Sequence, residues 1–416
     1  MADELTTIFL CGDVMLGRGI DQILPHPGDP ALRERLVRDA RIYVELAEAV
    51  NGAIPRPVDF SWPWGDALRV LDEIAPDVRV VNLETAITSC ARFAPGKGVH
   101  YRMSPANLPC LSVAGPDACV LANNHVLDFG RQGLEETLEA LAGAGLRAVG
   151  AGRDGSEAWR PAAVPVPGGG RVLVFAIGTR SSGIPESWAA TDRRAGVGFL
   201  RDVSDGAADE VVDRVQQCKE PGDLAVASIH WGSNWGYQVP PEQVRFSHRL
   251  VDGGVDVVHG HSSHHPRPIE VYRDKLVLYG CGDLINDYEG IRGYEEYRDD
   301  LRLMYMVRVR AGTGDVAGLR MAPMRACRMR LLRASNAEAL WLQDVLDRVS
   351  RGFGTRVALD ADGLLVLKAA GADAGPSGAG SVVESTNSRR GRRENPTSDV
   401  PPVTDPRAVV TGHRCR

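Results

Sequence analysis

The sequence predicts a layered α/β domain over roughly the first 310 of its 416 residues. Short apolar runs of strand length alternate along the chain with segments of helical periodicity, a pattern typical of sheets covered by helices. Hydrophobic residues make up 44% of the chain and charged residues 25%, as in ordinary soluble globular proteins. Several apolar runs also end in carboxylate, amide or imidazole side chains, which indicates a site at one edge of a sheet.

The first half of the chain contains three predicted strands, each followed by polar side chains. Residues 6–11 are followed by Asp13, residues 78–83 by Glu84, and residues 118–122 by Asn124 and His125. Predicted helices cover residues 31–50, 64–75, 105–114 and 133–144, where apolar spacing or a terminal Pro or Gly is typical of a helix. Residues 86–104 are predicted to form a long loop.

The second half repeats this pattern. Residues 224–229 form a predicted strand that ends at His230, and residues 255–258 form one that leads into His259, His261, His264 and His265. Two hairpins are predicted, over residues 162–177 and residues 269–279. Further strands at 303–309 and 316–323, and helices at 203–218, 241–253 and 337–353, complete the predicted elements.

Composition divides the chain into three parts. Residues 1–310 are predicted to form the domain that carries the site, and residues 311–368 add strands and a helix that pack on the same domain. Residues 369–416 are rich in Ala, Gly, Ser, Pro and Arg and contain almost no large apolar side chains. Such a segment cannot bury enough surface to offset the entropy of ordering, so a disordered tail is predicted.

Charge and cysteine content restrict the partners and the compartment. A formal net charge of −6 argues against a general nucleic-acid-binding protein. No apolar stretch approaches the ~20 residues that a membrane-spanning helix needs, and the N-terminus does not resemble a signal peptide. The eight cysteines are scattered without a CxxC pair, which predicts a reducing compartment and no disulfide framework. We therefore expect a cytoplasmic protein with neither a nucleic-acid nor a membrane partner, while the oligomeric state stays open.

Five of the predicted strand ends share oxygen or nitrogen ligand chemistry, with no cysteine among them. In open α/β folds, ligands and catalytic groups collect outside the carboxyl ends of the strands. Carboxylate, amide and imidazole donors suit a divalent transition metal, such as Mn, Zn or Fe, and one or two ions sharing a carboxylate are expected. The candidate ligands are Asp13, Glu84, Asn124, His230, His261 and His264.

Simpler interpretations stay open for single residues. Asp13 could cap a helix, Asn124 could stabilise a turn, and His230 could be a hydrogen-bonded core histidine. His259 and His265 are more typical of groups that support ligands than of ligands themselves.

The order of the motifs resembles the CapA family, named for poly-γ-glutamate capsule synthesis. The motifs are GD at residues 12–13, NLE at 82–84, NNH at 123–125, HWG at 230–232 and GHSSH at 260–264, and the resemblance covers roughly residues 5–310. It implies a calcineurin-like metallophosphoesterase fold, a layered α/β/β/α sandwich with a metal site at the C-terminal ends of its strands.

The resemblance also implies roles for individual residues. Asp13 and His264 would hold one metal ion. The second ion would be held by Asn124, His230 and His261. Glu84 stands at the superfamily's bridging carboxylate and His125 at its general acid.

Two departures from the superfamily pattern weaken the expected metal site. Met15 occupies the position of a superfamily histidine, and GHSSH has one residue more than the usual GHxH. One ion should therefore be held weakly or be absent, which puts ordinary phosphatase activity in doubt.

Three arginines are candidates for binding a substrate anion. Arg18, Arg102 and Arg180 fall on predicted loops near the site and could clamp a carboxylate or phosphate through bidentate contacts. The alternative for each is a solvated surface side chain. Asp283, in the sequence GCGD, is expected to support the site or to close a turn.

Three functions are compatible with this site. Metal-assisted epimerisation at a peptide Cα, with His125 and Asp13 as bases, is favoured for two reasons. The chain has no predicted membrane anchor, and the resemblance to CapA implies this reaction, since some soluble CapA-like members are peptide epimerases in pathways such as those of lasso peptides. Metal-dependent phosphoester hydrolysis is the first alternative. A factor for poly-γ-glutamate capsule synthesis is the second. The expected substrate is a peptide or a small anion.

Overall fold

The computed structural model describes residues 5–368 as two stacked β-sheets with helices on their outer faces. The predicted tail, residues 369–416, lies outside the described residues. The strands, in chain order, are β1 (Leu5–Val14), β2 (Val78–Leu83), β3 (Ala86–Ile87), β4 (Arg102–Met103), β5 (Ala118–Val120), β6 (Arg147–Val149), β7 (Ala151–Gly152), β8 (Ala162–Pro165), β9 (Arg171–Thr179), β10 (Gly196–Val197), β11 (Phe199–Leu200), β12 (Leu224–His230), β13 (Val257–His261), β14 (Ile269–Tyr272), β15 (Lys275–Leu278), β16 (Asp283–Ile285), β17 (Leu301–Arg310), β18 (Val316–Ala326), β19 (Leu331–Arg333), β20 (Val357–Leu359) and β21 (Leu365–Leu367).

The helices follow the same chain order. They are α1 (Arg18–Ile23), α2 (Arg41–Asn51), α3 (Asp66–Ile74), α4 (Pro109–Ser112), α5 (Gly130–Gly143), α6 (Gly155–Ala158), α7 (Asp205–Cys218), α8 (Pro241–Asp252) and α9 (Asn336–Ser350). Single 3-10 turns occur at Pro105–Asn107, Arg180–Ser182, Glu186–Trp188, Glu295–Tyr297 and Arg351–Phe353.

Each sheet contains a block of parallel strands. The first sheet runs β20-β21-β18-β17-β1-β2-β5-β6, with β16 beside the end of β1 and β19 beside β18. Its strands β1, β2, β5, β6 and β16 are parallel, whereas β17 and β18 are antiparallel to their neighbours. The second sheet runs β11-β9-β12-β13-β15-β14, with β8 on β9. Its strands β11, β9, β12, β13 and β15 are parallel. The strands after residue 310 therefore extend the first sheet.

The hydrophobic core has three layers, because the inner and outer faces of both sheets are apolar. Between the sheets, side chains such as Leu10 and Val80 of the first sheet belong to one buried cluster with Val174 and Val226 of the second. Helices α2, α3 and α5 cover the outer face of the first sheet, and α7 and α8 cover that of the second. Helix α9 contributes Leu342 to the cluster between the sheets. This arrangement confirms the predicted α/β/β/α sandwich.

One predicted helix is much shorter than expected. Residues 31–50 were assigned to a single helix from their apolar spacing, but α2 begins only at Arg41. Glu34 lies in the irregular segment before it, where its buried carboxylate pairs with Arg18 and accepts a hydrogen bond from the Tyr43 hydroxyl. These long-range contacts take precedence over helical periodicity, which is only a weak preference.

Two expectations about the surroundings of the chain can be compared with the structure. Within residues 5–368, no helix is both long enough and apolar enough to cross a membrane. Within the same residues, six cysteines, including Cys11 and Cys281, are free thiols. The cytoplasmic location stays a prediction.

Candidate metal centre

Asp13 lies at the point where three strands of the first sheet meet. In the parallel register it is opposite Asn82 of β2 and Asp283 of β16. Its Oδ1 accepts a hydrogen bond of 2.6 Å from Asn82 Nδ2, while its Oδ2 is buried without a partner in the described part of the chain. Gly12 permits this packing, because a Cβ there would lie only 1.5 Å from the carbonyl oxygen of Gly282.

Histidines of the second sheet face Asp13. His230 ends β12 and His261 ends β13, and the two residues are register neighbours whose Nδ1 atoms lie 2.8 Å apart. Ser228 Oγ lies 3.0 Å from both His261 Nε2 and His259 Nδ1. His259 Nε2 lies 2.9 Å from the carbonyl oxygen of Cys11, so this histidine links the two sheets. His259 therefore supports the centre from outside the cleft, as its position in the sequence suggested.

Two groups of candidate metal-binding side chains share Asp13. In Asp13, His230 and His261, and again in Asp13, His264 and Asp283, the candidate ligand atoms all lie within 4.8 Å of one another. His264 Nδ1 is 3.0 Å from Asp283 Oδ1, and His264 Nε2 is buried without a partner among residues 5–368. Asp13 Oδ2 and His264 Nε2 are thus two unpartnered buried atoms in one group, and leaving such atoms unsatisfied is costly. Oxygen and imidazole donors without thiolate suit a divalent transition metal, so the residues fit such an ion.

Glu84 and Asn124 complete the set of six predicted ligands at one place. Glu84 Oε1 lies 3.7 Å from His230 Nε2, and Asn124 Oδ1 lies 3.0 Å from the same nitrogen. The metal cleft beside them is lined by Glu84, Lys97, Val99, Tyr101, Asn124, His125, His230, Asn234, Ser262, His264 and Tyr288. The structure therefore brings the predicted ligands together, while their ligand role stays a prediction.

His125 is oriented by a buried carboxylate and an ammonium group. Its Nδ1 lies 2.7 Å from Asp128 Oδ2 and 3.2 Å from Lys97 Nζ, and its Nε2 lies 3.9 Å from Glu84 Oε1. The ring of Tyr101 stacks on the imidazole at a centroid distance of 3.8 Å. Lys97 Nζ also donates to Asp128 Oδ1 and to the carbonyl oxygen of Asn124. These contacts hold the imidazole on its Nδ1 side, so that its Nε2 side faces the cleft.

Burial and crowding of carboxylates shift the protonation of the centre. Burial, followed by the charge of Asp283, raises the pKa of Asp13 to about 7. Burial and the charge of Asp13 raise the pKa of Glu84 well above its usual value. Although burial opposes ionisation of Asp283, His264 holds the pKa of that carboxyl below its usual value. Carboxylates this close disfavour each other's ionisation unless a cation lies among them.

The pKa values of the four histidines of the centre shift in different directions. Burial lowers the pKa of His125, His230 and His261 well below the usual value, so these imidazoles are neutral, the form that binds metal. Burial opposes the charged form of His264 too, but the neighbouring Asp283 carboxylate raises its pKa overall.

The turn that carries His264 accommodates one strained residue. Ser262 has a φ of 95°, a conformation that side-chain-bearing residues rarely adopt and that costs on the order of 1–3 kcal/mol. The His264 N–H donates to the carbonyl oxygen of Asn234 at 3.0 Å, which attaches the turn to the neighbouring loop. The extra residue of GHSSH is therefore accommodated with His264 still directed at Asp13 and Asp283.

The three predicted substrate arginines do not line the cleft. Arg18 is buried, with its guanidinium paired to Asp287 and Glu34, so the expectation that it clamps substrate is corrected to an internal ion pair. Arg102 donates to the carbonyl oxygens of Cys90 and Asp29 and is not among the residues that line the cleft, which corrects the same expectation for it. Arg180 is exposed at the start of a 3-10 turn, and its role stays a prediction.

The structure adds residues to the centre that the sequence did not predict as ligands or as groups that orient His125. Asp283 joins a ligand group, although GCGD had suggested only support, and its signal was a carboxylate that follows an apolar run. Asp128 and Lys97 orient His125 from three residues and 28 residues away. Met15 is buried against Tyr101 and Tyr288, so the position of the missing superfamily histidine is filled by apolar packing.

Comparisons with known proteins point to one family. The profile of the family described as bacterial capsule synthesis protein PGA_cap matches residues 7–288. A probable polyglutamine synthesis accessory protein of Mycobacterium tuberculosis is 55% identical over 363 residues, which cover 87% of this chain and 96% of that protein. The capsule biosynthesis protein CapA of Bacillus anthracis is 23% identical over 310 residues, covering 74% of this chain and 65% of that protein.

Among solved structures, the chain is similar to a 5'-nucleotidase precursor from Thermus thermophilus. It superposes with a TM-score of 0.43 at 15% sequence identity, and the match covers 84% of this chain and 59% of that chain.

Proposed function

Because the chain belongs to the bacterial capsule synthesis family PGA_cap, we propose that it is a metal-dependent accessory protein in the synthesis of a glutamate-type polymer. The names of its relatives support this proposal, since they refer to polyglutamine synthesis and to capsule biosynthesis. The sequence favoured peptide epimerisation, but no relative is named for that reaction among those compared above. The poly-γ-glutamate alternative therefore replaces it as the main proposal.

One observation carries the metal dependence. Asp13 belongs to both ligand groups, and the two buried unpartnered atoms, Asp13 Oδ2 and His264 Nε2, are in one of them. Within that group Asp283 orients His264, and in the other group His230 and His261 lie on adjacent strands. A divalent ion bound there would polarise a carbonyl or phosphoryl oxygen of the substrate as a Lewis acid.

The protein's own side chains supply proton transfer and orientation. The neutral imidazole of His125 is held at Nδ1 by Asp128, which leaves Nε2 to exchange a proton with a substrate atom in the cleft. Lys97 balances the charge of Asp128 and attaches it to the backbone of Asn124. The anionic substrate expected from the sequence would be a carboxylate-bearing oligomer or a phosphorylated precursor of the polymer.

Metal-dependent phosphoester hydrolysis is the second candidate. It is favoured by the sharing of Asp13 between two ligand groups, because paired ions of this kind are common in enzymes that displace phosphoryl groups. In that reaction Nε2 of His125 would accept a proton from the attacking water and deliver it to the leaving group.

One experiment separates these reactions from epimerisation. Purified protein is analysed for bound metal, loaded with Mn²⁺, and incubated in D₂O with a γ-linked glutamate oligomer and with p-nitrophenyl phosphate. Metal-dependent change in oligomer length supports the polymer role, and turnover of the phosphoester alone supports the second candidate. Deuterium at a Cα without change in length would return the assignment to epimerisation.

Two histidine variants provide the control for that experiment. His264→Ala removes a residue of one ligand group and should lose metal and turnover together. His248→Ala removes a histidine that lies outside the cleft, on Glu270, and should retain both. A chain that carries its full metal content and acts on neither probe would contradict the proposed function.

A further inference from the structure

We propose that the hydroxyls of Tyr101 and Tyr288, which we call the tyrosine pair, form a binding subsite for a substrate oxyanion inside the metal cleft. The inference rests on the proposed function, because it concerns the substrate of the same cleft. The oxyanion is a carboxylate or a phosphoryl oxygen, which share the same demand for hydrogen-bond donors.

The two tyrosines come from distant parts of the chain and meet through their polar ends. The hydroxyl oxygens of Tyr101 and Tyr288 lie 2.5 Å apart, although the residues are separated by 187 positions. Both residues line the cleft, and their exposed fractions are only 1% and 4%. The hydroxyls therefore lie in a protected environment, where a hydrogen bond to an anion is stronger than in water.

Counting of protons shows that one donor of the tyrosine pair is unused. Two hydroxyls carry two protons, and the bond between them uses one. Neither hydroxyl has another hydrogen-bond partner within residues 5–368. Lys97 also lines the cleft, and its ammonium group donates to the carbonyl oxygen of Asn124 and to the Asp128 carboxylate. The tyrosine pair therefore offers an incoming oxygen a buried donor that no other described residue uses.

The tyrosine pair lies between the two chemically active parts of the cleft. The ring of Tyr101 stacks on His125 at 3.8 Å, and the ring of Tyr288 meets that of His264 edge-on at 5.3 Å. An oxygen bound by the hydroxyls would consequently stay close to both the imidazole that transfers protons and the metal ligands. Burial raises the pKa of both phenols well above the usual value, so both hydroxyls keep their protons.

The guanidinium of a buried arginine packs against both rings of the tyrosine pair. The guanidinium of Arg18 lies 5.0 Å from the ring centroid of Tyr101 and 5.6 Å from that of Tyr288. Its Nε donates to Asp287 at 2.8 Å, and its Nη1 donates to Glu34 at 3.0 Å. The rings therefore rest on a rigid group, and donors held in place in advance bind an oxyanion without the cost of reorganisation.

The test measures binding of two probes to the full chain loaded with Mn²⁺. Inorganic phosphate and a γ-linked glutamate trimer are titrated calorimetrically into wild type, Tyr101→Phe, Tyr288→Phe and the double variant. Each single variant keeps one hydroxyl and with it one donor, so it should bind both probes no more than about 3-fold more weakly than wild type. The double variant has no hydroxyl left and should bind at least one probe about 3- to 10-fold more weakly than wild type, the equivalent of one hydrogen bond.

Controls separate this inference from the proposed function and from damage to the fold. Tyr305→Phe, which removes a buried hydroxyl bonded to the carbonyl oxygen of Cys281 outside the cleft, should bind both probes as wild type does. Metal content is measured on every sample, so that absence of metal from the wild type contradicts the proposed function and not the subsite alone. If a variant folds poorly, the ultraviolet difference spectrum of the wild-type tyrosines on addition of either probe gives a second readout.

The outcomes are distinct. Weakening confined to phosphate identifies a phosphoryl oxygen as the ligand, and weakening confined to the trimer identifies a carboxylate. Unchanged affinity of the double variant for both probes, at full metal content and with no tyrosine difference spectrum in the wild type, overturns the subsite. The subsite is also overturned if the metal-loaded wild type binds neither phosphate nor the trimer.

Discussion

Replacing Asp13 by Asn should stabilise the metal-free protein at neutral pH and above while removing its affinity for metal. The carboxyl is 1% exposed, and its pKa is raised from the usual 3.8 to about 7 by burial and by the charge of Asp283. The folded chain therefore holds this proton more tightly than the unfolded chain does. The hydrogen bond from Asn82 Nδ2 should survive in the variant, because the amide oxygen of Asn can accept it as the carboxylate does.

The magnitude follows from the difference between the two pKa values. The stability associated with the protonated carboxyl is fully present below about pH 4, is lost as the pH rises, and is entirely lost above about pH 7. At about 1.4 kcal/mol for each pH unit between 3.8 and about 7, the ionised carboxylate costs the folded state roughly 4 kcal/mol. Asn cannot ionise, so Asp13→Asn avoids that cost.

The assay is urea unfolding of metal-free wild type and Asp13→Asn between about pH 5 and about pH 8. The advantage of the variant should grow by about 1.4 kcal/mol per pH unit as the pH approaches 7 and should then level off. With Mn²⁺ present the order should reverse, because only the wild type gains stability from binding the ion. A difference between the two proteins that stays constant across the pH range, or a variant with wild-type metal content, would refute the reasoning.

Three further outcomes are expected. His264→Ala should lower bound metal about 10-fold or more, whereas His248→Ala should leave it unchanged, as measured by elemental analysis after dialysis. Asp128→Asn should slow turnover about 10-fold or more at unchanged metal content, since His125 loses its orienting carboxylate; equal rates in a steady-state assay would contradict the role of Asp128. Arg18→Met should destabilise the fold by about 3 kcal/mol in urea unfolding, because two buried carboxylates lose their partner, and Arg180→Ala should change stability by less than about 0.5 kcal/mol.

The predictability of individual helices was uneven for a physical reason. Helix α7, with Ser204 as its N-cap, and helix α8, which begins at Pro241, lie close to the predicted segments because local caps and periodicity define them. Helix α2 begins ten residues later than predicted, because Glu34 is drawn into a buried ion pair. Local spacing contains no information about such a distant partner.

By itself, the sequence determined the layered α/β class and the positions of Asp13, Glu84, Asn124, His230 and His261 near strand ends, whereas the α/β/β/α sandwich was implied by the family resemblance. Chain order decides which side chain follows an apolar run, and the carboxyl ends of parallel strands meet at one edge, so local pattern is sufficient for both. The family resemblance drawn from the same motifs is confirmed by the matching family and by relatives.

Only the tertiary structure decided the neighbours of those side chains. It placed Asp283 beside Asp13 through the pairing of β16 with β1, directed Arg18 inward, and joined Tyr101 to Tyr288 across 187 positions. The physical reason is that hydrogen bonds and ion pairs depend on distances of a few ångströms between groups that are remote in sequence. Those distances are set by how the two sheets stack and how the loops between them pack, and no spacing along the chain encodes either.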